Sequence, residues 1–205
     1  MGYYYLASHN SFHKMKKCFL IIWLLIFGLS CFSQKIEFFK EDLKFSLNGE
    51  LFVVDGLYYF RNTTDNEVKQ MLFYPFPDVE VYGEIAFIQI TKANDTISQL
   101  ATQTSKGSLF KVQIPANAEI AFHISYGQKL KSDKAKYIIT TTQKWGNPFE
   151  QADYRLEIPS SLSITNFSIP PDTLFQKDTL MIYTWKRQDF MPVVDFDFEF
   201  RQSSE

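Results

Sequence analysis

The chain has 205 residues, 45% of them hydrophobic and 17% aromatic, with 21 lysines and arginines against 23 aspartates and glutamates. So even a balance leaves no basic stripe for a phosphate backbone, and nucleic acid is not an expected partner. Two cysteines cannot build a disulfide framework, so stability must come from a hydrophobic core, which a single domain of this length can supply.

The first element is a leader. Met15-Lys16-Lys17 provides a basic start, residues 18–27 an apolar run, and Cys31-Phe32-Ser33 a small-residue exit, the pattern of a secretory signal peptide. The run falls short of the roughly 20 apolar residues that a bilayer span requires. Residues 1–33 therefore read as a signal peptide whose true start is Met15, cleaved so that Gln34 leads a single domain over 34–205. The alternative is lipidation of Cys31, preceded by Gly28-Leu29-Ser30 as in a loose bacterial lipoprotein box, which would leave the protein attached to a membrane. Losing the leader removes both cysteines, His9, His13 and three lysines, and leaves 18 basic against 23 acidic residues, a net charge of −5.

Beyond the leader the pattern is that of strands. Residues 43–47 meet Asn48-Gly49, which predicts a type I′ turn into a strand over 50–54. Asp55-Gly56 reads as a second tight turn or a bulge before 57–61. Further strands are expected at 68–74, 79–92, 96–100, 109–114, 119–126, 136–142, 154–158 and 163–167, with Pro75, Pro77 and Pro170-Pro171 as breaks. Val194, Phe196, Phe198 and Phe200 alternate with Asp195, Asp197, Glu199 and Arg201, a half-buried strand expected to form an antiparallel hairpin with 179–187. No window after Lys35 sustains a helical period for three turns. The fold class is all-β, an antiparallel β-sandwich with little helix outside the signal peptide.

Catalytic residue types are scarce in the mature chain. His123 is its only histidine, and Ser125 projects parallel to it along one strand rather than toward it. One histidine without cysteine cannot make an ordinary zinc site. Asp195, Asp197 and Glu199 suggest calcium, but ligands spaced along a rigid strand cannot surround an ion without help from a loop. Glu80 with Glu84, or Glu150 with Asp153, could be drawn as glycosidase carboxylates only if they converge in space. Asn62, Asn94 and Asn166 stand in N-glycosylation patterns that a bacterial host would leave idle. No metal, cofactor or catalytic residue is therefore expected, and the chain is read as a non-enzyme.

The most distinctive internal segment runs from Lys136 through Tyr137-Ile138-Ile139-Thr140-Thr141-Thr142 to Trp145-Gly146-Asn147-Pro148. It reads as a threonine-rich strand ending in a turn. Trp145, with Tyr137, Tyr154 and Asn147, could form an aromatic platform whose faces stack on sugar rings while the asparagine takes hydroxyls. Alternatively Trp145 caps the core at a loop. This segment, together with the lysine-led leader ending Ser-Cys-Phe-Ser-Gln, resembles uncharacterised secreted proteins of Bacteroidota-type bacteria. The resemblance covers the leader and one internal strand and implies no activity. The sequence thus leads to an exported β-sandwich acting as a binding or assembly component in the periplasm or at the cell surface, with a protein or glycan partner. A carbohydrate-binding module built around Trp145 is the alternative.

Overall fold

Apolar and polar residues alternate with period two along nearly every strand, and the apolar set must be covered. Over residues 36–203, those that the computed structural model describes, the chain makes thirteen strands, one short helix and one 3-10 segment. In chain order they are β1 (Ile36–Asn48), β2 (Leu51–Asn62), β3 (Val68–Pro75), α1 (Val79–Tyr82), β4 (Ile85–Lys92), β5 (Ala101–Thr104), β6 (Gly107–Ile114), β7 (Glu119–Lys129), β8 (Lys134–Tyr137), the 3-10 segment (Thr140–Trp145), β9 (Phe149–Pro159), β10 (Leu162–Phe167), β11 (Thr173–Lys177), β12 (Leu180–Phe190) and β13 (Phe196–Gln202). The leader, its proposed start at Met15 and Cys31 lie outside the described residues.

The strands form a seven-stranded sheet, β11-β12-β9-β1-β2-β7-β4, and two three-stranded sheets, β10-β13-β8 and β3-β6-β5. Both small sheets cover the same face of the large one, so the all-β fold is a two-layered one whose second layer is split. Phe45 of β1 stacks on Phe196 of β13 with centroids 4.7 Å apart, and Phe52 of β2 meets Phe198 of β13. On the same face, Tyr58 of β2 meets Tyr74 of β3, and Phe122 of β7 meets Phe110 of β6. The opposite face of the large sheet carries charge, including the ion pairs Lys44–Glu157 and Arg155–Glu157.

Several local expectations change once the strands find their partners. Asn48 pairs with Leu51, so the turn centres on Gly49-Glu50 with a positive φ at Gly49 alone, not the two that type I′ requires. Gly56 makes neither a turn nor a bulge. It stays inside β2 opposite Leu43, where a Cβ would collide with the carbonyl of Asp42, and the register shift sits instead in the neighbouring strand between Phe38 and Lys40. The 79–92 segment breaks into α1 and β4, with Asp78 accepting the amide of Glu80 to cap α1. The expected strand at 96–100 makes a single bridge, Thr91 with Ser98, and the strand follows at β5. The threonines at 140–142 lie in the 3-10 segment rather than in a strand, because Asp195 accepts both the amide and the hydroxyl of Thr140 and so caps that turn from across the fold.

The largest correction concerns the C-terminal hairpin. β12 pairs with β9 and β11 in the large sheet, whereas β13 pairs with β10 and β8 in a small one, so the two strands lie in different layers. The break expected at Pro170-Pro171 is followed by a strand that was not expected, β11. Its partner is β12, joined through Asp178, whose φ is +53°. One sheet contact is parallel, β1 with β9, from Lys40 opposite Gln151 to Ser46 opposite Glu157.

The expected face of β13 is correct: Phe196 and Phe198 are buried, whereas Val194 precedes the strand and is exposed. The acidic face of β13 is paired rather than bare. Lys136 lies 3.7 Å from Asp195 and 3.6 Å from Asp197, and Lys134 lies 2.6 Å from Glu199. Phe198→Ala should therefore lower stability by about 3 to 5 kcal/mol as a large-to-small core change. Asp197→Ala, which loses a partly exposed ion pair, should cost less than about 1 kcal/mol. Thermal melts of the two variants check this, and a harmless Phe198→Ala would place the wrong face inside.

Candidate functional site

β1 carries one charged residue on its core-facing side. Glu41 sits between apolar neighbours in the alternation and is 1% exposed. Across the sheet it faces Tyr58 of β2 on one side and Ala152 of β9 on the other, and the small alanine leaves room beside the carboxylate. Tyr154, two residues further along β9, donates its hydroxyl to Glu41 Oε1. Tyr137 of β8 reaches Glu41 Oε2 at 3.2 Å and Tyr58 Oη at 3.3 Å, and Tyr58 and Tyr74 share a hydrogen bond of 2.7 Å. The four tyrosines come from β9, β8, β2 and β3, so the cluster ties all three sheets together. Tyr126 of β7 packs edge-on to Tyr74, and its buried hydroxyl has no hydrogen-bond partner.

Burial disfavours charge on each of these groups. It pushes the Glu41 carboxyl up from 4.5 to about 7, against the opposing hydrogen bonds from Tyr154 and Tyr137. Burial likewise drives the phenols of Tyr58, Tyr74, Tyr137 and Tyr154 well above their ordinary value, with the Glu41 charge adding to the effect. No lysine or arginine among the described residues makes an ion pair with Glu41.

Beside this cluster lies a small pocket of about 50 Å³, between the β3 end, the 3-10 segment and the large sheet. Phe38, Phe60, Leu72, Phe110 and Ile124 supply apolar walls, Tyr58, Tyr74 and Tyr137 add phenols, and Trp145 and Thr141 border it from the 3-10 segment. No charged side chain lines it. Trp145 is half-buried, its ring 6.0 Å from Phe38 and 5.7 Å from Phe60 between centroids. Phe73, which also borders the pocket, is 52% exposed.

Of the platform residues, Trp145 and Tyr137 meet at this pocket, whereas Tyr154 is a core residue bound to Glu41 and Asn147 is exposed beyond the 3-10 segment. The four do not form one exposed surface. Glu41, Tyr58 and Tyr74 were not singled out from the sequence. The signal that could have found Glu41 is its place in register with Leu43, Phe45 and Leu47, a carboxylate on an apolar stripe.

The other titratable candidates lie elsewhere. His123 Nε2 is 3.0 Å from Asp55 Oδ1 on the charged face of the large sheet, where an open cleft also includes Asp42, Lys44, Lys92 and Asp95. Both partners of that pair are about half-exposed. Glu150 pairs with Arg61, and Asp153 accepts from Gln151, so they are engaged separately. Asn62 is buried and donates to the carbonyls of Asn66, Ile114 and Pro115, a structural role that leaves its amide nitrogen occupied. No group of three or more His, Cys, Asp or Glu among the described residues is arranged to hold a metal.

Neither a family model nor a curated protein matches the chain. Among solved structures it is similar to a protein of Legionella pneumophila subsp. pneumophila whose provisional description is nutrient binding protein, with a TM-score of 0.66 and 14% identity over 82% of this chain and 67% of that one. It is also similar to an M1 zinc metallopeptidase from Deinococcus radiodurans, with a TM-score of 0.48 and 10% identity over 82% of this chain and 42% of the enzyme. The chain thus spans well under half of the metallopeptidase. At 14% identity the first likeness extends to the β-rich fold and no further.

Because the folded Glu41 keeps its proton between pH 4.5 and about 7, where the unfolded chain has released it, its contribution to stability is full below 4.5 and is lost as pH rises through 7. At roughly 1.4 kcal/mol per pH unit, the loss is on the order of 3 kcal/mol. Glu41→Gln keeps a hydrogen-bonding group without the charge. It should gain stability relative to the native protein at pH 8 compared with pH 4.5, as read by denaturant melts at the two values. Parallel pH profiles for the two proteins would show that Glu41 does not titrate in this range.

Proposed function

We propose that this chain is an exported, non-enzymatic binding component of the cell envelope, acting in the periplasm or at the cell surface, and that its binding site is the pocket beneath Trp145. The observation that carries the reading is the pocket itself: apolar walls from two sheets, a few phenols and no charged lining residue. Such a lining favours insertion of a neutral, largely apolar group over acid-base chemistry. The leader at 15–33 supports export. The provisional nutrient-binding description of the Legionella protein agrees in kind, through a shared fold alone.

The glycan-stacking alternative draws less support from the geometry. A sugar ring needs an open aromatic face, whereas Trp145 is half-buried against Phe38 and Phe60, and Tyr137 and Tyr154 are core residues. A cavity of about 50 Å³ is also far smaller than a sugar ring demands, and it suits the tip of an aliphatic side chain or a short aliphatic ligand.

Two measurements test this. Fractionation of a bacterial host should find the protein outside the cytosol with Gln34 as its first residue, and retention of the leader in the cytosol would overturn the address. Crystals pressurised with xenon, a probe that enters dry apolar cavities, should show an atom among Leu72, Ile124 and Trp145. Thr141→Phe, which fills the mouth from the half-buried 3-10 segment, should remove that atom and shift stability by less than about 1 kcal/mol. A native crystal without xenon there would end the pocket's candidacy.

A further inference from the structure

The pocket and the Glu41 cluster share side chains. Tyr58, Tyr74 and Tyr137 line the cavity, and the same three hydroxyls form the hydrogen-bonded chain that reaches the carboxylate. Tyr137 is the branch point. A phenol has one proton to donate, and Tyr137 Oη has two acceptors within reach, Glu41 Oε2 at 3.2 Å and Tyr58 Oη at 3.3 Å. An ionised Glu41 draws that proton, since hydrogen bonds to a charged acceptor are the stronger ones. A protonated Glu41 releases it toward Tyr58, and the Tyr58–Tyr74 pair can then turn a proton outward.

The lining sets the ligand chemistry. With no charged side chain at its wall, the pocket would strip an ion of hydration without replacing it, so the ligand must be neutral. The phenols can donate, so a ligand with one hydrogen-bond acceptor gains a partner there. Its volume limits the inserted part to a short aliphatic end.

We propose that this pocket is a proton-linked site for the short aliphatic end of a neutral ligand carrying a hydroxyl or ether oxygen, a proposal that rests on the pocket being the binding site. An acceptor in the pocket and an ionised Glu41 compete for the same phenolic protons. Ligand binding therefore favours protonated Glu41, takes up a proton, and tightens as pH falls. The groups facing Glu41 are Tyr154 of β9, Tyr137 of β8 and Tyr58 of β2, with Tyr74 of β3 and Tyr126 of β7 behind them. Arg187 of β12 acts on Tyr154. Burial pushes the phenols among these further above neutrality, which leaves the Glu41 carboxyl, raised to about 7, as the group of this cluster that responds near neutral pH.

The test titrates the full-length protein with 1-propanol at pH 5.5 and pH 8 and follows the methyl resonances of Leu72 and Ile124. Dissolved xenon, which has no hydrogen-bonding atom, is the second probe. Affinity for 1-propanol should be about tenfold higher at pH 5.5, a typical coupling between linked sites, while xenon should bind alike at both. Glu41→Gln and, independently, Tyr137→Phe should remove the pH dependence for propanol. If propanol and xenon both bind and neither responds to pH, the proton linkage is overturned while the binding site stands. If neither shifts the two methyl groups at any pH, the pocket is no binding site and both readings fall.

Discussion

A carboxylate buried among phenols, where three sheets meet, is the constraint on which the arrangement depends. Glu41 accepts from Tyr154 in its own sheet and from Tyr137 in one covering sheet, and the chain continues through Tyr58 to Tyr74 in the other. An uncompensated buried charge is expensive, so these donors must be in place. One small sheet supplies the donor Tyr137, and the other supplies Tyr74, which reaches the carboxylate only through Tyr58. The cluster therefore ties the position of both small sheets on the large one to hydrogen bonds of defined direction, which nondirectional aromatic packing cannot do.

The aromatic core supplies the adhesion that the cluster directs. Phe45, Phe52, Phe196, Phe198 and Trp185 interlock beneath the β10-β13-β8 sheet, and Trp185 satisfies its indole N–H on the carbonyl of Ile169 at 2.9 Å. Rings of this size bury large apolar areas and prefer offset-stacked and edge contacts. Such a core explains how a domain with no cysteine after residue 31 can hold two separate small sheets against one large one.

The gap between the two small sheets is also where the pocket forms. A single continuous second layer would have closed over Phe38, Tyr58 and Ile124. The split leaves them covered by the 3-10 segment, whose Trp145 fills the seam incompletely. That segment is held at two points by the connection between β12 and β13, by Asp195 at Thr140 and by Gln143 donating to the Pro192 carbonyl at 2.7 Å. Site and scaffold thus arise from the same break in the covering layer.

The sequence by itself determined what is local. Period-two alternation set the all-β class and the buried face of β13, the run at 119–126 set β7, and Asn48-Gly49 marked the first reversal, though not its turn type. Trp145 and Tyr137 stood out as an unusual segment before any partner was known. Pairing decided the rest. Nothing in β12 or β13 says that they enter different sheets, because an alternating strand fits any partner that covers its apolar face. Gly56 became a strand residue because Leu43 and Asp42 cross it closely. Asp195 turned a threonine run into a 3-10 turn from 55 residues away. Glu41 gained its surroundings from tyrosines 17 to 113 residues distant in the chain, so the feature that defines the site was written in the sequence only as a charged residue out of pattern. Side-chain alternation is a property of one strand, whereas burial of a charge depends on every strand that closes over it.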